Sequence, residues 1–206
     1  MILDLNHPDI FNIVDNIGSS SEPVRIIVIP DENAEVNECI PTVKEKVRKD
    51  SGQLILGWQI YHTGHLIEGV FHGVWLSPEN ELIDVTPKQP LMNEIIFLPD
   101  SRLKYEGKQI DSIRVNVSGS SLVNHLIIIS ELIFKLMNSG EREFQNGVVN
   151  LKGEDLEFYK YLNLFKISLL TMINNGQTKN QTCFCGGGKK YKICHGKDLL
   201  KVQKLI

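Results

Sequence analysis

The spacing of apolar residues changes period several times along this chain, and each change predicts an element. After Pro8, the apolar residues Ile10, Ile13 and Val14 predict a short helix over 8–14 that closes at Gly18 and a serine run. The β-branched stretch Val24-Arg25-Ile26-Ile27-Val28-Ile29-Pro30 predicts a strand. A polar loop over 31–36 gives way to a helical period, with Ile40, Val43 and Val47 on one face and Gly52 as the stop. Pro41 fits such a helix only in its first turn, where the missing N–H costs nothing. Cys39 therefore falls at or just before the helix N-terminus.

Three β-like runs follow, at 54–62, 66–76 and 81–86. His62-Thr63-Gly64-His65 and Ser77-Pro78-Glu79-Asn80 supply the turns between them, which predicts an antiparallel meander. Runs at 94–98 and 110–117 extend the sheet. Ser-Gly-Ser-Ser at 118–121 caps a helix over 122–137, and a second helix over 154–174 places Leu156, Tyr159, Leu162, Leu164, Phe165 and Leu169 at near-helical spacing. Residues 175–182 are polar and read as a tether. The expected class is α+β, an antiparallel sheet with helices.

At 206 residues, 42 % of them hydrophobic, the chain can bury one sizeable core with a small appendage. The most apolar run, 122–137, is interrupted by Asn124, His125, Ser130, Glu131 and Lys135, so it predicts a buried helix and no membrane insertion. The start, Met1-Ile2-Leu3-Asp4-Leu5, carries an acid and no basic region, unlike a secretory signal. Net charge is −3 but unevenly placed: residues 175–206 hold seven lysines against Asp198 alone, a balance of +6 that leaves −9 for the rest. Such a tail suits an acidic protein surface or a phosphate backbone, or is simply solvated. With only Phe184 and Tyr191 as aromatics there, a stacking platform for single-stranded nucleic acid is not supported, so nucleic acid is the weaker partner class.

Three of the four cysteines lie in Cys183-Phe184-Cys185-Gly186-Gly187-Gly188-Lys189-Lys190-Tyr191-Lys192-Ile193-Cys194-His195-Gly196. Thiolate and imidazole in two close pairs separated by a glycine turn are the donors of a closed tetrahedral zinc site. A stretch this short cannot bury a core, so the ion itself would have to order it. Thiols used this way, rather than in an even disulfide framework, predict a reducing cytoplasm.

The pattern C-x-C-G-x-G-K-K-Y-K-x-C-H-G resembles the SEC-C motif, the zinc-binding tail of the bacterial preprotein-translocation ATPase and of many otherwise unrelated proteins. The resemblance implies zinc on Cys183, Cys185, Cys194 and His195. It also implies a partner surface at Lys189, Lys190, Tyr191 and Lys192, directed at a protein of chaperone or ribosomal type. Gly187 departs from the family's frequent Ser, at a position that is not a ligand.

The remaining thiol is Cys39. A helix N-terminus presents unpaired N–H groups and positive potential, which favour thiolate. A nucleophilic thiolate also needs an imidazole and a group to orient it. In the run 66–76, His72 shares a face with Val70 and Val74, and Asp84 interrupts the apolar Leu82-Ile83-Asp84-Val85, where a carboxylate is costly unless paired. A short odd turn would set 72 directly opposite 84. A five-residue loop would set them diagonally on one face, and an even loop on opposite faces.

The stretch Phe71-His72-Gly73-Val74-Trp75 … Leu82-Ile83-Asp84-Val85-Thr86-Pro87 is similar to the H-x-W … D-x-T of transglutaminase-like domains, and the order helix-Cys, strand-His, strand-Asp resembles the papain-like superfamily. The resemblance implies Cys39 as nucleophile, His72 as general base then acid, Asp84 as its orienter, and an oxyanion held by the Cys39 N–H and the Asn37 side chain. It departs in lacking an aromatic beside Cys39, whose neighbours are Glu38 and Ile40.

The expected organisation is a papain/transglutaminase-like domain over 1–120, a helical segment over 121–174 packed on it, a linker at 175–182, a zinc motif at 183–196 and a basic tail at 197–206. The expected function is a cysteine-dependent acyl-transfer hydrolase recruited to a protein partner by its zinc tail. The alternative is a non-catalytic adaptor whose zinc is its only functional chemistry.

Overall fold

The computed structural model describes residues 3–140, 142 and 150–202. In chain order the elements are α1 (Pro8–Ile17), β1 (Val24–Val28), α2 (Cys39–Asp50), β2 (Gln53–His62), β3 (Leu66–Leu76), β4 (Leu82–Asp84), β5 (Glu94–Pro99), β6 (Ile113–Asn116), α3 (Ser121–Met137), α4 (Gly153–Asn174) and α5 (His195–Val202), with a 3₁₀ turn at Tyr191–Ile193 before the last. Local chemistry explains the helix ends. The His7 side chain accepts the Asp9 N–H at the start of α1, and Gly18 ends it in the left-handed region, its N–H bonded to the Val14 carbonyl. Ser120 caps α3 through the Leu122 N–H.

The chain forms two compact units. One holds the residues up to Glu106 with Ser112–Val115, and the other holds Gly107–Asp111 with the residues from Asn116 onward.

In the first unit the strand order is β2-β5-β1-β4-β3-β6, and an added β2–β3 pairing closes the first five strands into a barrel-like sheet. β2 and β3 form a long antiparallel hairpin, Gln53 opposite Leu76 and His62 opposite Ile67. β5 runs antiparallel to both β1 and β2. β1, however, runs parallel to β4, with Val28 beside Asp84. The sheet is therefore mixed, which corrects the antiparallel expectation. Turn signals report only strands adjacent in sequence, whereas α2 and a whole hairpin separate β1 from β4, enough chain for a parallel crossover.

Alternation sorts the strands' residues between two faces. Ile26, Val74, Ile95 and Phe97 fill the inside of the barrel. On its outside, α2 lays Val43 against Trp75 and Val85, with Val47, Leu54 and Ile83 beside them. A close approach at Gly73 permits this seating. A Cβ there would stand 2.8 Å from Ile40 Cδ1 and 2.9 Å from Leu54 Cδ1. Trp58 and Trp75 are core residues whose ring N–H groups reach Asp100 and the Ser51 carbonyl.

In the second unit, α3 packs on α4. Leu122, Val123, Leu126, Ile129 and Leu132 are buried from one helix, and Leu162, Phe165, Leu169, Met172 and Ile173 from the other. Leu164 is exposed, because the buried stripe follows 162, 165, 169 and 172–173. No described helix is long and apolar enough to cross a membrane. The unit boundary at Asn116 precedes residue 120, and the helices at 121–174 share their unit with the cysteine motif. Residues 203–206 of the basic tail lie outside the described residues.

Candidate functional site

The helix α2 begins at Cys39, and its hydrogen-bond ladder begins with the Thr42 N–H donating to the Glu38 carbonyl. The Cys39 and Ile40 amides thus have no partner within the helix, and Pro41 has no amide hydrogen to leave unpaired. Asn37 lies in an exposed turn just ahead, in the left-handed region with φ 70°.

His72 projects from β3 into the barrel, 5 % exposed, with the Phe97 ring edge-on to it. Its Nε2 lies 2.9 Å from Asp84 Oδ2. The β3–β4 loop holds five residues, Ser77 to Glu81, and its register pairs Trp75 with Ile83 and Leu76 with Leu82. His72 and Asp84 are therefore diagonal neighbours on one face. The other Asp84 oxygen accepts the Thr86 N–H at 3.0 Å, so the carboxylate is held at both ends. The Cys39 thiol lies within electrostatic reach of the His72 ring and of the Gly73 backbone. The structure thus brings Cys39, His72 and Asp84 together from α2, β3 and β4. Asn37 remains on the surface.

The electrostatics follow from these contacts. Burial by itself pushes the Cys39 thiol up, but the His72 ring, the Gly73 backbone and the charge of Lys88 outweigh it and hold the thiol below its ordinary value. Burial likewise works against a charged His72, yet Asp84 and the Cys39 thiol raise it. Asp84 is lowered: its burial is more than offset by His72 and Lys88. A lowered thiol, a raised imidazole and a lowered carboxylate thus lie side by side.

Two further residues complete the cluster. Lys88 Nζ lies 3.0 Å from His72 Nε2 and also contacts Asp84 Oδ2 and Gln59 Oε1. Gln59, 3 % exposed, stands on β2, and its Nε2 and the Thr86 Oγ1 are buried without a hydrogen-bond partner among the described residues. Gln59 interrupts the apolar run 54–61 as Asp84 interrupts its own, so the cost of an unpaired buried polar group points to it too. Lys88 gives no such signal, since it sits in a polar loop between two prolines. Beside the first turn of α2, a groove of about 620 Å³ is lined by Asp31, Glu32, Glu35, Glu38, Glu45 and Lys49 among others, with Glu45 paired to Arg48 and Lys49.

The second cluster lies in the other unit. Gly186 and Gly188 both adopt positive φ, 74° and 71°, in a tight turn. That turn returns the chain so that the Cys183 N–H donates to the Lys189 carbonyl and Thr182 bridges to Lys190. The sulfur of Cys183 stands 3.3 Å from His195 Nδ1, that of Cys194 3.4 Å from it, and the Cys185 and Cys194 sulfurs 3.7 Å apart. All four donor atoms lie within 4.8 Å of one another. Zinc bound at about 2.3 Å to sulfur and about 2.0–2.1 Å to nitrogen spaces tetrahedral donors by about 3.5–3.8 Å. The separations of 3.3, 3.4 and 3.7 Å lie near that spacing and no pair exceeds 4.8 Å, so three thiols and an imidazole gathered this closely fit the ion. Residues 180–197 match the SEC-C motif. No curated protein and no solved structure matches the chain.

The SEC-C motif does not hang free on a tether. Tyr191 is fully buried, its hydroxyl 2.7 Å from His125 Nδ1, and its ring lies among those of Phe165 and Phe184. Phe165 and Phe184 also flank the His195 ring. Residues 175–182, expected as a linker, are bonded into the motif: the Tyr191 N–H donates to the Gln181 carbonyl and the Lys192 N–H to the Lys179 carbonyl. Polar composition conceals such backbone pairing. Burial also removes Tyr191 from the expected partner surface, whereas Lys189, Lys190 and Lys192 are exposed.

Proposed function

We propose that the barrel unit is a cysteine-dependent acyl-transfer hydrolase of papain- or transglutaminase-like organisation, and that the zinc-loaded SEC-C motif delivers it to a cytoplasmic protein partner. The convergence of Cys39, His72 and Asp84, in the order helix, strand, strand, carries this reading. His72 takes the Cys39 proton, and the thiolate attacks the acyl carbon of an amide, isopeptide or thioester. The Cys39 and Ile40 amides, which have no partner within the helix, receive the oxyanion. His72 then returns its proton to the leaving group, leaving a thioester on Cys39. Water deprotonated by His72 hydrolyses that thioester and restores the thiol. Asp84 holds the ring in position throughout. Cys183, Cys185, Cys194 and His195 would hold zinc, which would supply folding energy to the motif rather than chemistry.

A second reading, a non-catalytic adaptor, draws on the exposed Lys189, Lys190 and Lys192 beside the metal cluster. Iodoacetamide labelling of the zinc-loaded full chain at neutral pH, read by peptide mass spectrometry, separates the two. The hydrolase reading expects Cys39 to react about tenfold or more faster than a free peptide thiol, and His72→Ala to abolish the advantage. Slow labelling, equal in both proteins, leaves the adaptor.

A further inference from the structure

The triad leaves one charge at the centre of the barrel unexplained. Lys88 Nζ lies 2.5 Å from Asp84 Oδ2, 3.0 Å from His72 Nε2 and 3.1 Å from Gln59 Oε1, and its side chain is 7 % exposed. An ammonium has three donors and no acceptor, and these three atoms lie within reach of it. An apolar side chain of similar volume would fill the same space without desolvating a charge.

We propose that Lys88 is a positioning residue that ties Asp84 and Gln59 to the edge of the His72 ring and, through that ring, tunes the reactivity of Cys39. The inference rests on Cys39 being the nucleophile. His72 Nε2 has the carboxylate at 2.9 Å and the ammonium at 3.0 Å, and one ring nitrogen either donates to the first or accepts from the second. Lys88 thereby competes for the contact that orients the ring. Its positive charge also disfavours imidazolium and favours thiolate, so it lowers both His72 and Cys39.

Charged and titratable groups reach this point from each surrounding element. Cys39 comes from α2, Asp84 from β4 and Tyr61 from β2, whose hydroxyl is pushed up to about 12 first by burial and then by Asp84 and Glu68; Glu68 on β3 is itself paired with Arg114 of β6 at 2.7 Å. β5 contributes the uncharged Phe97, and β1 the uncharged Val28 beside Asp84. Lys88 is thus the cation that balances Asp84 when the ring is neutral.

The pH dependence of Cys39 alkylation in the zinc-loaded full chain tests this, using wild type, His72→Ala, Lys88→Gln and Lys88→Arg. Lys88→Gln is expected to move the rising limb up by about one pH unit and to slow labelling at pH 7 about tenfold, while Lys88→Arg keeps the wild-type limb. A folded Lys88→Gln whose limb coincides with wild type, while His72→Ala still slows labelling, overturns the role of Lys88 alone. Wild-type Cys39 that labels like a peptide thiol, with no effect of His72→Ala, overturns the nucleophile as well. Should Lys88→Gln not fold, the unsubstituted protein still decides. Its Lys88 ¹⁵Nζ ammonium resonance is expected to be visible at neutral pH and to shift when Cys39 is alkylated, and an absent or unmoved resonance overturns the proposal.

Discussion

His72 and Asp84 meet across a diagonal of the sheet, Nε2 to Oδ2 at 2.9 Å, because a five-residue loop offsets β4 by one pair from direct opposition. Asp84 is fully buried and shared with Lys88, so its charge holds both the His72 ring and the Lys88 ammonium. Asp84→Asn is expected to cost about 3–5 kcal/mol in denaturant unfolding, since it leaves Lys88 buried and uncompensated. Adding Lys88→Met should recover much of that loss without restoring Cys39 labelling. A double variant no more stable than Asp84→Asn would show that the ion pair is not the source of the cost.

Gly73 permits Ile40 to lie on β3, and the N-terminus of α2 follows from that seating. Gly73→Ala places a methyl 2.8 Å from Ile40 Cδ1 and 2.9 Å from Leu54 Cδ1. The expected destabilisation is about 1–3 kcal/mol. Because Cys39 immediately precedes Ile40, its alkylation should also slow severalfold. Urea unfolding and labelling rate check the two effects; an unchanged labelling rate would mean that the seating of α2 does not position the thiol.

The SEC-C motif is expected to hold one zinc per chain, measured by elemental analysis of purified protein. Cys194→Ser should abolish retention, because Cys194 contacts both Cys185 and His195. Burial and the neighbouring sulfurs push the Cys194 thiol up to about 11 without a cation, so protons compete for this site and zinc should be released as pH falls. Chelation should expose Tyr191, read as quenching of its fluorescence. Full zinc retention in Cys194→Ser would refute the ligand set.

Asp100 gives a pH prediction independent of either cluster. It is 2 % exposed, takes two hydrogen bonds from the Arg102 guanidinium at 2.8 Å and one from Trp58 at 3.1 Å, and is held at about 2 chiefly by Arg102. Its folded value lies below the unfolded value of about 3.9, so its contribution is present above pH ~4 and is lost as pH falls toward 2. Asp100→Asn is expected to lower stability by about 1.5–3 kcal/mol at pH 7. That difference should shrink toward zero near pH 2, and a pH-independent gap would argue against the linkage.

Local pattern alone determined α1 to α4 and the cysteine–histidine motif, while α5 stands where the sequence suggested only the end of that motif and a basic tail. Helix spacing, Pro41, Gly18 and Ser120 act over a few residues, so the positions of α1 to α4 follow from short windows of sequence. The four donors of the SEC-C motif likewise lie within one turn and its flanks, and the glycines between them leave little other geometry. Cys39, His72 and Asp84 were legible as residue types on compatible elements, but three loop lengths gave three different outcomes. Only the fold chose the five-residue loop, closed the sheet through β2–β3 and set β1 parallel to β4. It also brought Lys88 and Gln59 to the histidine and buried Tyr191 beneath the cysteines. Those outcomes depend on pairings between strands far apart in sequence and on the shared burial of side chains from several elements, and neither is a property of any single window.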